Sequence, residues 1–264
     1  MRKLAECTGN NMNASPTDRF YEEFWLRPGW NSATPNADEG ARYKVIARMV
    51  ARIRQESGRA AAPLSILDLG CGRGWLSHLL AKEGRVTGLD PVRKVVEAAQ
   101  QNFPEVTFIA GTVDTLLADP MVSPFDGIVC SEVIEHVPLE EKPHFLRSIR
   151  RLLKPEGYLI LTTPRGELWG AWQRLTHAGQ PVEVWLSETE LSDLCSQALL
   201  SVVCRDRAYP IRRLNWKARA LSPARALAGH IAALNGLGAW LSYETSIYQV
   251  ILARPATMWS SKTE

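Results

Sequence analysis

The chain has 264 residues, of which 45% are hydrophobic and 22% are charged, and its formal net charge is +3. This length and apolar content can bury a large single core, and the small net charge does not indicate a nucleic-acid-binding chain. Five cysteines form no C-x-x-C pair, so neither a disulfide framework nor a cysteine metal site is indicated, and we expect a reduced, cytoplasmic setting. We expect no signal peptide and no membrane span, since no window approaches the ~18 apolar residues that a span requires.

The first part of the chain, residues 1–57, is predicted to form a helical region in front of a core at 58–264. Thr17 or Asp18 is expected to cap a short aromatic helix, and residues 27–37 are expected to form a loop because they are rich in Pro, Gly and Asn. Apolar residues at 45, 46, 49, 50 and 53 predict a helix over 41–55. The aromatic helix is a candidate lid over a ligand pocket, and the alternative is that its rings pack against the sheet. These aromatic residues are Phe20, Tyr21, Phe24 and Trp25, followed by Trp30.

The middle of the chain alternates apolar strands with helices. Strands are predicted at 64–69, 85–90, 106–110, 125–130 and 157–163, with helices near 74–82, 91–102 and 139–153. Such alternation indicates a doubly wound α/β fold with a parallel sheet and right-handed crossovers. Ser187 and Glu190 form a capping-box pattern at the start of another helix, and strands near 200–205 and 246–252 would complete the sheet.

A glycine-rich turn follows the first of these strands. Glycines at 70, 72 and 74 allow the backbone to turn sharply and to approach a ligand closely. A dinucleotide site would require a third glycine where Trp75 stands, so that interpretation is disfavoured. Asp68 is a polar residue inside a buried strand, which suggests a specific role. Asp90 ends the next strand, where it can accept hydrogen bonds from the hydroxyls of a ribose.

Five segments in this order resemble the motifs of class I S-adenosylmethionine-dependent methyltransferases. They are Asp68–Gly74, Asp90, Gly111–Asp114, Phe125–Pro138 and Leu152–Pro164. The fourth is most similar to the ubiquinone-biosynthesis O-methyltransferases and their small-molecule relatives. The resemblance covers about residues 64–164 and implies a Rossmann-like sheet of seven mostly parallel strands, the last of them antiparallel, with an N-terminal helical lid and two insertions in the C-terminal half.

The resemblance also implies S-adenosylmethionine as cofactor and assigns residues to it. Asp68 and Gly70 would face its methionine part, and Asp90 would hold the ribose. Thr112, Val113 and Asp114 would flank the adenine, and Cys130 would contact the methionine through its backbone. Core packing is the alternative for Cys130 and Val113. The residues expected to bind the cofactor are Asp68, Gly70, Cys71, Gly72, Asp90, Pro91, Thr112, Val113, Asp114 and Cys130.

Glu132, Glu135 and His136 are the candidate catalytic residues. Their i, i+3, i+4 spacing places them on one face if the segment is helical. His136 could remove a proton from a substrate hydroxyl, with the glutamates orienting it or binding substrate. Alternatively the trio could hold a divalent metal ion, as a similar Glu-x-x-Glu-His does in RNA 3′-end 2′-O-methyltransferases with a further histidine. Here Gln180 stands in the comparable stretch and His177 lies at another offset, so we favour His136 as base without a metal; a third alternative is that Glu132 only braces the cofactor loop.

Substrate choice is expected to lie in insertions near 165–186 and 207–243. The first carries Trp169, Trp172, His177 and Trp185. The second, over 208–243, has no acidic residue and could cover an anionic or amphiphilic substrate, lie on a membrane surface or contact RNA. A cap over the pocket with a solvated basic face is the favoured interpretation. The basic residues are Arg212, Arg213, Lys217, Arg219 and Arg225.

These observations predict S-adenosylmethionine-dependent O-methylation of a small-molecule hydroxyl. Methyl transfer to RNA and a cofactor-binding interaction subunit without catalysis are the alternatives. Steep loss of activity with salt would favour RNA, because phosphate contacts are salt-dependent.

Overall fold

A computed structural model describes residues 16–27, 32–56, 62–173, 180–210, 240 and 242–256. Its centre is a seven-stranded sheet in the order β3-β2-β1-β4-β5-β7-β6. The strands are β1 (Leu64–Leu69), β2 (Gly84–Asp90), β3 (Thr107–Ala110), β4 (Phe125–Ser131), β5 (Leu153–Pro164), β6 (Leu200–Pro210) and β7 (Ser246–Pro255). The predicted α/β fold with a seven-stranded, mostly parallel sheet is confirmed.

The strand pairing places the functional segments at one edge of the sheet. β1 pairs in parallel with β2 on one side and with β4 on the other. The chain order therefore reverses at β1, and ligands of open α/β sheets bind outside the carboxyl ends of the strands at such a point. β7 is antiparallel to both β5 and β6, as the resemblance implied for the last strand.

Helices flank this sheet, and most lie close to their predicted positions. They are α1 (Pro16–Leu26), α2 (Ala37–Glu56), α3 (Trp75–Leu80), α4 (Arg93–Asn102), α5 (Val113–Ala118), α6 (Lys142–Leu152), α7 (Trp169–Gln173) and α8 (Glu188–Gln197). The capping box of α8 is present, since Ser187 Oγ accepts from the Glu190 amide and Glu190 accepts from the Ser187 amide. The predicted cap of α1 at Thr17 or Asp18 is wrong, because the helix already begins at Pro16.

Apolar side chains cover both faces of the sheet. Ile66 packs with the α2 residues Ile46 and Met49 on one face, whereas its neighbour Leu67 packs with the α6 residues Leu146 and Ile149 on the other. This alternation follows from the twofold side-chain period of a strand that is buried on both sides. Within the described part of the chain, no helix is long and apolar enough to cross a membrane.

Candidate active site

The glycine turn after β1 adopts the conformation that its sequence predicts. Gly70, Gly72 and Gly74 have φ of 74°, 50° and 84°, a region that side chains other than glycine rarely adopt. The Gly70 amide donates a 2.8 Å hydrogen bond to the Leu89 carbonyl, which ties the turn to β2. A Cβ on Gly70 would lie 2.3 Å from Val133 Cγ2. The turn therefore packs directly against the loop that carries the candidate catalytic residues.

Asp90 stands at the carboxyl end of β2 beside this turn and is 7% exposed. Its Oδ2 accepts a 3.0 Å hydrogen bond from the Gly72 amide, and its Oδ1 accepts a 3.0 Å bond from the Val92 amide. Two backbone donors thus fix the orientation of the carboxylate. A carboxylate held in this way next to a tight glycine turn fits the diol of a ribose, since each carboxylate oxygen has two acceptor positions. Pro91 follows Asp90 and is exposed.

Asp68 is buried beneath the turn, with 1% of its surface exposed. Its Oδ2 accepts a 2.6 Å hydrogen bond from Ser77 Oγ on α3. Burial raises the pKa of Asp68 to about 7, and the nearby carboxylate of Asp90 adds to the shift. Asp68 thus joins β1 to α3, and its contact with a cofactor stays a prediction.

The segment predicted to flank adenine begins α5, a helix that the sequence patterns did not reveal. Thr112 Oγ1 accepts a 3.4 Å hydrogen bond from the Thr115 amide and caps the helix. The Asp114 side chain is exposed, and its Oδ1 lies 3.4 Å from His144 Nε2 and 3.3 Å from Ser148 Oγ on α6. Thr112 and Asp114 therefore have local structural partners, and their role at an adenine stays a prediction.

Three further residues assigned to the cofactor have buried side chains. Val113 and Cys130 belong to the core on the α6 side of the sheet, and Cys71 is buried below the turn. Burial raises the pKa of both thiols well above the ordinary value, so neither is a thiolate. Any contact of Cys71 and Cys130 with a ligand would therefore come from the backbone.

Glu132 does not share a helical face with Glu135 and His136, so the helical interpretation of the trio is wrong. Glu132 has φ of 59°, and only Ile134–His136 form a single 3₁₀ turn. Glu132 Oε1 accepts a 2.7 Å hydrogen bond from Thr162 Oγ1 on β5. Glu132 therefore braces the loop after β4 against the neighbouring strand.

Glu135 is buried directly beside the imidazole of His136. Its Oε2 accepts a 2.9 Å hydrogen bond from Thr163 Oγ1, and its Oε1 lies 3.8 Å from His136 Nε2. Below this pair, Lys142 is fully buried and donates a hydrogen bond to the Ile134 carbonyl. Burial lowers the pKa of Lys142 to about 8, although the negative charge of Glu135 acts in the opposite direction.

The orientation of His136 is fixed by the first insertion. His136 Nδ1 lies 2.8 Å from the Val182 carbonyl oxygen, and the Val184 amide donates a 2.8 Å bond to the Glu135 carbonyl. A carbonyl oxygen can only accept, so Nδ1 carries the proton and Nε2 carries the lone pair of the neutral ring. This tautomer can accept a proton at the nitrogen that lies beside Glu135.

Helix α1 contacts both His136 and the glycine turn. The Tyr21 ring lies edge-on to the His136 ring, with centroids 5.5 Å apart, and its hydroxyl donates a 3.1 Å bond to Gln180 Oε1. Trp25, one turn later, comes within 3.4 Å of the position that a Cβ on Gly72 would occupy. Burial raises the pKa of Tyr21, and Glu135, Glu183 and Asp90 raise it further. The aromatic helix thus contacts both His136 and the glycine turn, and its role as a lid stays a prediction.

A buried ion pair that the sequence patterns did not predict joins this region to α2. Arg73 and Glu39 are 4% and 2% exposed and form two hydrogen bonds of 2.8 and 2.6 Å. Removing one partner of such a pair costs about 3–5 kcal/mol, because a charge stays buried without compensation. A capping-box pattern, Asn36-x-x-Glu39, marks the start of α2 in the sequence, but nothing in it indicates a partner 34 residues away.

The sequence also singled out Trp30, residues of the two insertions and a possible metal site. In the first insertion, the Trp185 ring lies 4.9 Å from that of Trp169 and 6.0 Å from that of Trp172. Trp30, His177 and the five basic residues of the second insertion lie outside the described residues. Among the residues that are described, no group of three His, Cys, Asp or Glu side chains is arranged to hold a metal ion.

Comparisons with known proteins identify the family. A sequence model described as a methyltransferase domain matches residues 40–218. The chain is 38% identical over 114 residues to the ubiquinone biosynthesis O-methyltransferase of Caulobacter vibrioides, covering 40% of this chain and 44% of that protein. It is 30% identical over 169 residues to that of Xanthomonas campestris, covering 62% and 66%. The matches thus span less than two thirds of these relatives.

Solved structures show the same fold at low sequence identity. The N-methyltransferase NodS from Bradyrhizobium japonicum, in complex with S-adenosylhomocysteine, superposes with a TM-score of 0.60 at 16% identity, covering 91% of this chain and 99% of that one. Magnesium protoporphyrin IX methyltransferase from Synechocystis gives 0.57 at 17% identity, covering 91% and 95%. With the family match over more than half of its length, the chain belongs to the methyltransferase domain family of class I S-adenosylmethionine-dependent methyltransferases.

Proposed function

We propose that the protein transfers the methyl group of S-adenosylmethionine to a hydroxyl oxygen of a small molecule, with His136 as the general base. The observation that carries this proposal is the hydrogen bond from His136 Nδ1 to the Val182 carbonyl. It leaves Nε2 as a proton acceptor beside the Glu135 carboxylate. The names of the curated relatives, which are ubiquinone biosynthesis O-methyltransferases, support an oxygen acceptor.

The cofactor half of the site would consist of the glycine turn and Asp90. Asp90 would accept hydrogen bonds from the ribose hydroxyls in the orientation that the Gly72 and Val92 amides impose. When bound, S-adenosylmethionine supplies a methyl group that is already activated by its sulfonium, so the protein mainly aligns the reactants and excludes water. Tyr21 and Trp25 on α1 would close the site to water.

The acceptor half would be organised around His136 and Glu135. As the acceptor oxygen takes the methyl group and S-adenosylhomocysteine is released, the hydroxyl proton would pass to His136 Nε2, which makes the imidazole positive. Glu135 Oε1, 3.8 Å from that nitrogen, would stabilise this charge, and Thr163 holds the carboxylate in place from its other oxygen. Glu135 is therefore proposed to act on His136 rather than on the substrate.

The charges around Tyr21 favour a neutral acceptor over an anionic one. Glu135, Glu183 and Asp90 all act on the Tyr21 hydroxyl, and all three are negative. A phosphate or carboxylate on the acceptor would be repelled at this position. This argument disfavours both the anionic substrate and the RNA that the basic second insertion left open.

The test is methyl transfer by purified protein to a panel of neutral phenols, catechols and aliphatic alcohols, with His136→Gln as the variant. We expect turnover to fall by about 10²–10⁴-fold, the usual contribution of a general base, while the affinity for S-adenosylhomocysteine stays within about twofold. His78→Gln is the matched control, because this histidine pairs with Glu105 on the surface. Equal turnover of His136→Gln and wild type would remove His136 as base, and folded protein that binds no S-adenosylhomocysteine would contradict the whole proposal.

A further inference from the structure

Arg73 lies inside the glycine turn, between Gly72 and Gly74, yet its side chain contacts the segment that leads from α1 to α2. The guanidinium forms a two-pronged pair with the Glu39 carboxylate. Its Nε donates to the Ser32 carbonyl at 2.5 Å, and Nη2 also donates to the Thr34 carbonyl at 3.3 Å. All three guanidinium nitrogens are thus used to hold residues 32–39 against the turn.

Glu39 is itself held rigidly at the start of α2. Its Oε2 accepts a 2.7 Å hydrogen bond from the Asn36 amide, while Asn36 Oδ1 accepts a 3.0 Å bond from the Glu39 amide. This reciprocal pattern is a capping box. The carboxylate therefore has one fixed position. Two guanidinium nitrogens of Arg73 can bond to it only when the glycine turn is correctly placed against the start of α2.

The same guanidinium also faces the helix that covers the site. The Arg73 cation lies 5.7 Å from the centre of the Trp25 ring, within the range of a cation–π contact. Tyr21, which contacts His136, is on the same helix one turn earlier. A second contact, from Lys94 Nζ to Glu22 Oε1 at 2.5 Å, fixes the outer side of α1 to α4.

We propose that Arg73 is a positioning residue that couples cofactor binding at the glycine turn to the seating of α1 over His136. This inference rests on the proposed function in one respect, namely that the turn binds S-adenosylmethionine or its product. The Gly72 amide is bonded to Asp90, so the residue before Arg73 belongs to the ribose-binding arrangement. A ligand that fixes the turn thereby also fixes the guanidinium that contacts Trp25. Because such coupling is reciprocal, packing of α1 against the site strengthens binding of that ligand.

The experiment combines calorimetry with hydrogen exchange of the amides of residues 16–27, both with S-adenosylhomocysteine as the probe. Arg73→Lys keeps the positive charge but loses the planar fork that matches the carboxylate. Arg54→Lys is the matched control, because Arg54 also joins α2 to the core through a carboxylate, that of Glu83, at 2.8 Å, and it lies in the last turn of α2, at the opposite end of that helix from Glu39. Thermal unfolding of each variant measures the loss of stability separately.

In the wild type and in Arg54→Lys, we expect S-adenosylhomocysteine to slow exchange in α1. In Arg73→Lys, we expect this protection to fall by about fivefold or more and the affinity for the ligand to fall with it, since coupling between sites is usually of this size or larger. A purely structural role would lower the unfolding temperature and leave the protection by ligand unchanged.

Glu39→Gln provides a second route to the same answer if Arg73→Lys does not fold. It keeps the shape of the side chain and removes its charge, and we expect the same loss of ligand-dependent protection. Wild-type affinity and protection in the folded variants would overturn the inference. Failure of the wild type to bind S-adenosylhomocysteine would instead contradict the proposed function.

Discussion

The Oε1 oxygen of Glu132 lies 3.3 Å from Nη1 of Arg42, a buried arginine of α2. The Arg42 cation also stacks 4.7 Å above the centre of the Tyr248 ring. Tyr248 in turn donates a 2.9 Å hydrogen bond to Asp38 Oδ2, one turn before Arg42. A network of charges thus ties α2 and β7 to the loop after β4, and it gives Glu132 a structural partner on α2.

The first prediction is that Glu132 contributes more to stability than to turnover. Glu132→Gln keeps an acceptor for Thr162 but leaves the buried Arg42 without a nearby negative charge on this loop. We expect the free energy of unfolding to fall by about 1–3 kcal/mol, the cost of a buried polar group that loses its partner. Denaturant unfolding and kcat measured on the same samples check this.

The control for this prediction is Glu105→Gln, which removes an exposed partner of His78 and should change stability by less than about 0.5 kcal/mol. A loss of kcat in Glu132→Gln as large as that in His136→Gln, with little change in stability, would place Glu132 in the chemistry.

The sequence predicted those parts of the site that depend on local patterns. The glycine turn and the position of Asp90 at a strand end follow from strand periodicity and from the conformational freedom of glycine. The bend at Glu132 could not be predicted in this way, because a left-handed glutamate is stabilised by its tertiary partners Thr162 and Arg42. The pairing of Arg73 with Glu39 could not be predicted for the same reason, since only the fold brings α2 beside the glycine turn.

The carbonyl that orients His136 could not be predicted from sequence patterns either. Val182 lies 46 residues after His136, and its backbone oxygen carries no residue-specific signal. The spacing Glu-x-x-Glu-His drew attention to this loop, but it suggested a helix where the structure has a single 3₁₀ turn. Spacing rules for a helical face therefore failed here, because the loop after β4 departs from helical structure at Glu132.

The second prediction concerns Asp90. Asp90→Ala should weaken binding of S-adenosylhomocysteine by about two to four orders of magnitude, because two hydrogen bonds to a charged group at about 1.5–3 kcal/mol each would be lost. Isothermal titration calorimetry measures this directly. Asp193→Ala, which changes an exposed aspartate on α8, should leave the affinity unchanged. Wild-type affinity in the Asp90 variant would refute the ribose role.

The third prediction is that activity does not require a divalent metal ion. Each residue of the trio has one potential ligand atom engaged within the protein: Glu132 Oε1 with Arg42, Glu135 Oε2 with Thr163, and His136 Nδ1 with Val182. Turnover after dialysis against EDTA should therefore stay within about twofold of that of the untreated enzyme, a difference that corresponds to less than about 1 kcal/mol. Complete loss that Mg²⁺ restores would show that these contacts rearrange around a metal.

The last prediction uses Lys142, which is fully buried beneath the 3₁₀ turn of His136 and whose pKa burial lowers to about 8. The negative charge of the neighbouring Glu135 carboxylate opposes this shift. Below pH 8 the ammonium is protonated in both the folded and the unfolded chain, so it adds no pH dependence to stability. Between pH 8 and the ordinary pKa of 10.5, the unfolded chain binds more protons than the folded one, so the wild type gains stability as the pH rises.

Lys142→Met removes this titration and keeps an unbranched side chain of similar length. The stability of the wild type relative to this variant should therefore rise across that pH range, by at most about 3 kcal/mol. Denaturant unfolding of both proteins from pH 7 to 10.5 measures the difference, in which the other titrating groups cancel. Lys44→Met, at an exposed position on α2, controls for the loss of one positive charge. A difference that falls with pH would mean that the folded protein stabilises the Lys142 ammonium, and a difference that matches the Lys44 control would mean that burial does not lower the pKa of Lys142.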